Sequence, residues 1–145
     1  MAETLGSLCD KLTIVKLKQF HSDDITRLES LSLQSDQLQE EIDEFVNLSI
    51  RGEIPLNKLT FKSNKVFKKD GNDIPDVMGG IGKIFYQLAD VNCKLWHEVE
   101  KGYDIENVPV SEKDKLVKML AILNLERNKC IDEIDNAFVS LISKP

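Results

Sequence analysis

Four prolines and seven glycines in 145 residues are too few for a loop-rich or fibrous chain. No long apolar run is present either: the longest uncharged one, Met119-Leu120-Ala121-Ile122-Leu123, is far too short to cross a bilayer. The three cysteines, Cys9, Cys93 and Cys130, are odd in number and widely spaced, which excludes a full disulfide framework and predicts reduced thiols in a cytosolic protein. The opening Met1-Ala2-Glu3-Thr4-Leu5 carries an acid where a signal peptide carries positive charge, and no apolar stretch follows it. Only two histidines occur, and neither is followed three or four residues later by a His or Cys, so no metal site is expected. Patterns of the type G-x-S-x-G, H-E-x-x-H and C-x-x-C are missing, and no cofactor is implied.

What is present is helical periodicity. With 41% hydrophobic and 30% charged residues, the chain has the balance of one ordinary folded domain spanning 1–145. The net charge of -6 opposes wholesale binding to nucleic acid or to an anionic membrane. Leu5, Leu8, Leu12 and Val15 form one stripe of a first helix over about Thr4 to Phe20. Ser22-Asp23-Asp24 then predicts a second helix start, with the Ser22 hydroxyl as cap. Leu28, Leu31, Leu38, Ile42 and Phe45, interrupted by Ser35, carry that helix to about Arg51, and Gly52 and Pro55 end it.

Residues 52–76 lose the period and contain Gly52, Pro55, Asp70-Gly71-Asn72 and Pro75, which predicts an irregular connection. Within it, the apolar pieces flanking Ser63-Asn64 could pair as a small β-hairpin. A third helix is expected from Val77 to Lys101, striped by Ile81, Ile84, Leu88, Val91, Leu95 and Val99 and closed by Gly102. Ser111-Glu112-Lys113-Asp114 has the form of a capping box for a last helix to about Ser143, with Leu116, Leu120, Leu123, Cys130, Ile134, Phe138 and Leu141 on its core face. Two long helical hairpins joined by one loop make an all-α, antiparallel four-helix bundle the expected fold.

Polar residues break the stripes of the last two helices at Asn92, Asn124, Arg127 and Asn128, and a desolvated amide or guanidinium needs partners. Antiparallel pairing would bring Asn92 near Asn124, and Asp10 or a glutamate could neutralise Arg127. Such a layer either fixes helix register or forms a small-ligand site, with Arg127 for phosphate and Trp96 for stacking. Trp96-His97-Glu98 cannot all face one pocket, because successive helical residues diverge by about 100°. The carboxylate pairs Glu41-x-x-Glu44 and Asp132-x-x-Asp135 could hold a cation, but a solvated charged face accounts for them more simply. Lys58, Lys62, Lys65, Lys68 and Lys69 surround Phe61 and Phe67, a mixture too short in so acidic a chain to make nucleic acid the expected partner. Gly79-Gly80-Ile81-Gly82-Lys83 lacks the first glycine and the final hydroxyl of a phosphate loop and reads instead as small residues at a close helix crossing.

Three segments taken in order carry a resemblance: Asp10-Lys11-Leu12-Thr13-Ile14, then Asn92-Cys93-Lys94-Leu95-Trp96, then Asn124-Leu125-Glu126-Arg127-Asn128. The chain resembles the uncharacterised small helical proteins of bacteria whose genes often lie among lipopolysaccharide and glycosyltransferase genes. That resemblance implies no reaction; it implies that Asp10, Lys11, Asn92, Trp96, Asn124 and Arg127 belong to one shared design, as candidate ligand-binding residues. Long amphipathic helices without a complete chemical motif predict a non-enzymatic homo-oligomer or accessory protein partner. The alternative expectation is a nucleotide or nucleotide-sugar binder or hydrolase.

Overall fold

The structure is a computed structural model and describes residues 3–61 and 74–143. Four helices account for most of these residues, α1 (Leu5–Phe20), α2 (Ile25–Ile50), α3 (Ile81–Tyr103) and α4 (Val110–Ser143), and no strand occurs among them. Of the expected hairpin, Leu59 instead ends a 3₁₀ turn at Leu56–Lys58 and Thr60 and Phe61 form no strand; its residues from Lys62 onward lie outside the described residues, as do all the loop lysines except Lys58.

Caps show how the sequence starts and stops each element. Thr4 caps α1 reciprocally with Ser7: its hydroxyl accepts the Ser7 amide at 3.3 Å, while Ser7 Oγ accepts the Thr4 amide at 2.8 Å. The cap of α2 is Asp24, not the expected Ser22, because a carboxylate complements the positive helix end better and Asp24 Oδ1 accepts the Arg27 amide. Gly52 sits at φ +76 just past α2, the left-handed geometry that glycine adopts without strain.

Three other boundaries differ from expectation. The third helix begins at Ile81, four residues after Val77, behind Gly79 at φ +108 and the cap residue Gly80. A Cβ on Gly80 or Gly82 would meet nothing within 4 Å, so these glycines serve the turn into α3 and make no close helix crossing. Gly102 lies inside α3, which ends one residue later, because a lone helical glycine costs only about 1 kcal/mol and does not stop a packed helix. The fourth helix starts at Val110, ahead of Ser111, and its first turn opens on the Pro109 carbonyl, which accepts the Glu112 amide at 2.8 Å.

The core is mainly a three-helix core. Leu5 and Cys9 of α1, Ile84, Leu88 and Val91 of α3, and Leu123, Cys130, Ile131, Ile134 and Phe138 of α4 bury together. Of the expected α2 stripe only Leu31 is fully buried; Leu28, Leu38, Ile42 and Phe45 stay half-buried, since α2 packs chiefly along α1. Its far end is tied to α4 by Phe45 and Phe138, with ring centroids 6.1 Å apart.

The close crossing is at Gly6. A Cβ there would lie 2.5 Å from the Ile131 carbonyl oxygen and 2.9 Å from Asp135 Oδ1, closer than atoms can approach. Gly6→Ala is therefore expected to destabilise by about 1–3 kcal/mol through forced separation of α1 and α4. Gly102→Ala, in open space within α3, should instead stabilise by about 0.5–1 kcal/mol. Urea unfolding midpoints of the two variants should move in opposite directions; a shared direction would rule out steric contact at Gly6 as the cause.

Candidate functional site

At the middle of the bundle α1, α3 and α4 meet in a polar layer. Asp10 is buried on α1, and its carboxylate receives Arg127 in a fork, Nε to Oδ1 at 2.9 Å and the terminal nitrogen to Oδ2 at 2.5 Å. Asn92, fully buried on α3, donates from the same amide nitrogen to Asp10 Oδ1 at 2.9 Å and to Thr13 Oγ1 at 2.7 Å. The Thr13 hydroxyl in turn donates to the Asp10 carbonyl at 2.7 Å. The hydrogen bond to Asp10 holds the Arg127 guanidinium above its ordinary pKa, against the opposing effect of burial. Asn92 Oδ1 has no hydrogen-bond partner among the described residues.

Of the six residues singled out from the sequence, the structure therefore joins three. Lys11 turns outward and pairs with Glu3. Asn124 gives its backbone carbonyl to Asn128 Nδ2 at 2.8 Å, and the hydrogen bonds of Asn92 run to α1 and not to Asn124. Trp96 donates its indole N–H to Glu100 at 2.7 Å and stacks on His21, with centroids 5.0 Å apart and planes 14° apart.

Neither a family model nor a curated protein nor a solved structure matches this chain.

Two acids of α4 are buried, and for one of them, Asp135, a solvated charged face was the expectation. Asp135 is buried, and its Oδ1 accepts the Gly6 amide at 2.7 Å, capping one of the orphan N–H groups at the start of α1 from another helix. Oδ2 has no hydrogen-bond partner among the described residues; the Thr4 hydroxyl is near enough to favour the charged form without meeting hydrogen-bond geometry. Burial pushes the Asp135 carboxyl up to about 6, against the opposing pull of the Gly6 amide and Thr4. Glu126 is buried as well, and its carboxyl is raised by burial against the attraction of Lys94. The signal for both was in the sequence: Leu123, Glu126 and Cys130, and Ile131, Asp135 and Phe138, share helical spacing, so each acid sits on the apolar stripe.

These carboxylates also quieten the thiols. Burial, Asp135 and Asp10 push Cys9 up to about 11, and burial, Glu126 and Asp10 push Cys130 up to about 12, so neither is a thiolate at neutral pH. Cys93 is exposed. No group of three or more His, Cys, Asp or Glu is placed to hold a metal ion among the described residues.

The His21–Trp96 pair stands between two cavities. On one side, an apolar groove of about 550 Å³ between α1 and α3 is lined by Leu17, Phe20, Ala89 and Trp96, with Lys16 and Glu100 among its polar residues. On the other, a polar pocket of about 420 Å³ at the α1–α2 corner is lined by Lys18, Ser22, Arg27, Ser30 and Gln34. That pocket shares Lys18 and Gln34 with a cleft of about 360 Å³ running along α1 and α2 to Lys11 and Arg127.

Proposed function

We propose that this chain is a non-enzymatic, cytoplasmic interaction protein that assembles with a second copy of itself through the α1–α3 groove. The observation that carries the reading is the self-complementary face: Phe20, 84% exposed, stands at the rim of an apolar groove on the same surface. A knob beside a hole on one face is what an isologous two-fold contact needs, because each copy fills the groove of the other. Lys16 and Glu100 line the same groove, so a two-fold axis can also set opposite charges against each other. Asp10, Asn92 and Arg127 serve in this reading as the register of the bundle, tied together across α1, α3 and α4 by the Asp10 carboxylate.

The reading takes the four helices as two antiparallel hairpins. Its support is the opposite progression along α1 and α4, from Gly6 with Asp135 to Asp10 with Arg127. It also places the chain with the small helical bacterial proteins whose three segments it resembles, as a subunit or accessory protein with no reaction of its own.

Sedimentation velocity over a micromolar concentration series tests the proposal. The expected result is a reversible dimer. A buried Phe side chain is worth about 1.5–3 kcal/mol and counts twice across a two-fold axis, so Phe20→Ala should weaken association by roughly 100-fold or more without loss of helical circular dichroism. A strict monomer, or a dimer indifferent to Phe20→Ala, would remove the α1–α3 groove from the assembly.

A further inference from the structure

We infer that the α1–α2 cleft is a binding site for a diphosphate joined to a flat ring, the shared chemistry of nucleoside diphosphates and nucleotide-sugars. The inference goes beyond the assembly reading, and the cleft lies on the opposite side of the His21–Trp96 pair from the groove that carries that reading.

Charge is the first argument. The chain has 25 acids against 19 basic residues, yet the corner pocket is lined by Lys18, Arg27 and His21 with no carboxylate at all. A local reversal of sign in an acidic protein concentrates anions where the rest of the surface repels them. The hydroxyls of Ser22 and Ser30 and the amide of Gln34 add neutral groups of the kind that bond phosphate oxygens beside a cation. Lys18 and Arg27 also occupy different helices, so an anion between them would be held from two directions.

Shape is the second. The cleft continues from Lys18 to Lys11, seven residues or about 10.5 Å along one face of α1, with Arg127 lining it and one acid, Glu41, on the α2 side. Asp10 engages the Arg127 Nε and one terminal nitrogen, which fixes the guanidinium plane while leaving some of its five N–H donors for another partner. Lys11 shares its ammonium with Glu3, so the Lys18 end is the more cationic. That end is also the aromatic one: the stacked His21–Trp96 pair is a planar wall, oriented by the Trp96 bond to Glu100, against which a base can pack. The corner volume falls within the range of small-molecule sites.

The experiment is a calorimetric titration of the full chain at low ionic strength with four probes: ADP, UDP-glucose, pyrophosphate and adenosine. Saturable binding is expected for ADP and UDP-glucose, weaker binding for pyrophosphate and none for adenosine. Lys18→Glu and Arg27→Glu, both at exposed positions, should each weaken ADP binding by roughly tenfold or more, whereas Lys83→Glu on α3 should leave it unchanged. Trp96→Ala should weaken ADP and spare pyrophosphate, a split that loss of structure alone would not give. Absence of heat with all four probes, or equal binding by wild type and Lys18→Glu, overturns the site. Equal affinity for ADP and pyrophosphate, unmoved by Trp96→Ala, overturns the ring subsite and with it the proposed ligand class.

Discussion

Asp10→Ala is expected to destabilise the protein by about 3–5 kcal/mol, a large part of the ~5–15 kcal/mol that holds a domain of this kind folded. The substitution strips both arms of the Arg127 fork and one of the two bonds of the Asn92 amide in a single step. Arg127 is partly exposed and can turn towards water, so much of the loss comes from Asn92, which is fully buried and keeps only Thr13 as a partner. Arg127→Met should cost a similar amount for the opposite reason, since it leaves the Asp10 carboxylate buried with the Asn92 amide alone. The double variant Asp10→Ala with Arg127→Met should lose clearly less than the sum of the two single variants, because no unpaired charge is left, while Asn92 still lacks the Asp10 oxygen. Urea denaturation of the four proteins in a double-mutant cycle measures this directly. Additive losses, with no coupling between positions 10 and 127, would contradict the network.

A second large effect is expected from Asp135 and follows pH. Its folded carboxyl has been raised to about 6 from an ordinary value of 3.8, so the native state holds this proton more tightly than the unfolded chain does. The stabilising contribution is therefore complete below about 4, is lost as pH rises towards 6 and stays lost above it. A shift of about 2 units corresponds to roughly 3 kcal/mol. Glu126, also raised by burial, acts in the same direction. Glu3 acts in the other: burial raises its carboxyl, but Lys11 and Ser7 together bring it below the ordinary value. Asp135→Asn separates the contributions, because an amide keeps an oxygen for the Gly6 amide and has no charge to bury. Relative to wild type, the stability of this variant should climb by about 2–3 kcal/mol between pH 4 and pH 6 and then level off. Parallel pH curves for the two proteins would exclude Asp135 as the source.

The two acids of one sequence motif show why the candidate site was only half legible. Asp132 and Asp135 look alike as a carboxylate pair three residues apart, yet Asp135 alone falls at the same helical angle as Ile131 and Phe138. Its partner is the Gly6 amide, 129 residues away, and no local spacing encodes that contact. Trp96 is a similar case. It stood out as a large aromatic near the end of a helix, but its stacking on His21 depends on where the turn after α1 brings that ring. Asp10 with Arg127 was more accessible to reasoning, because a guanidinium on an apolar stripe must find a carboxylate and few acids are well placed to supply one.

Sequence alone determined the four helices to within a few residues, much of the buried stripe of α1, α3 and α4, though Val99 and Leu141 of the expected stripes are exposed, and the need of Asn92 and Arg127 for polar partners. Those properties follow from local periodicity and from the desolvation cost of groups on a buried face. Tertiary structure decided that Gly6 is the close crossing, that Asp135 meets the Gly6 amide, that α2 lies mainly along α1, and that His21 and Trp96 divide an apolar groove from a cationic cleft. These depend on the packing of residues far apart in the chain, where a single contact within hydrogen-bond reach decides whether a carboxylate faces water or a helix end.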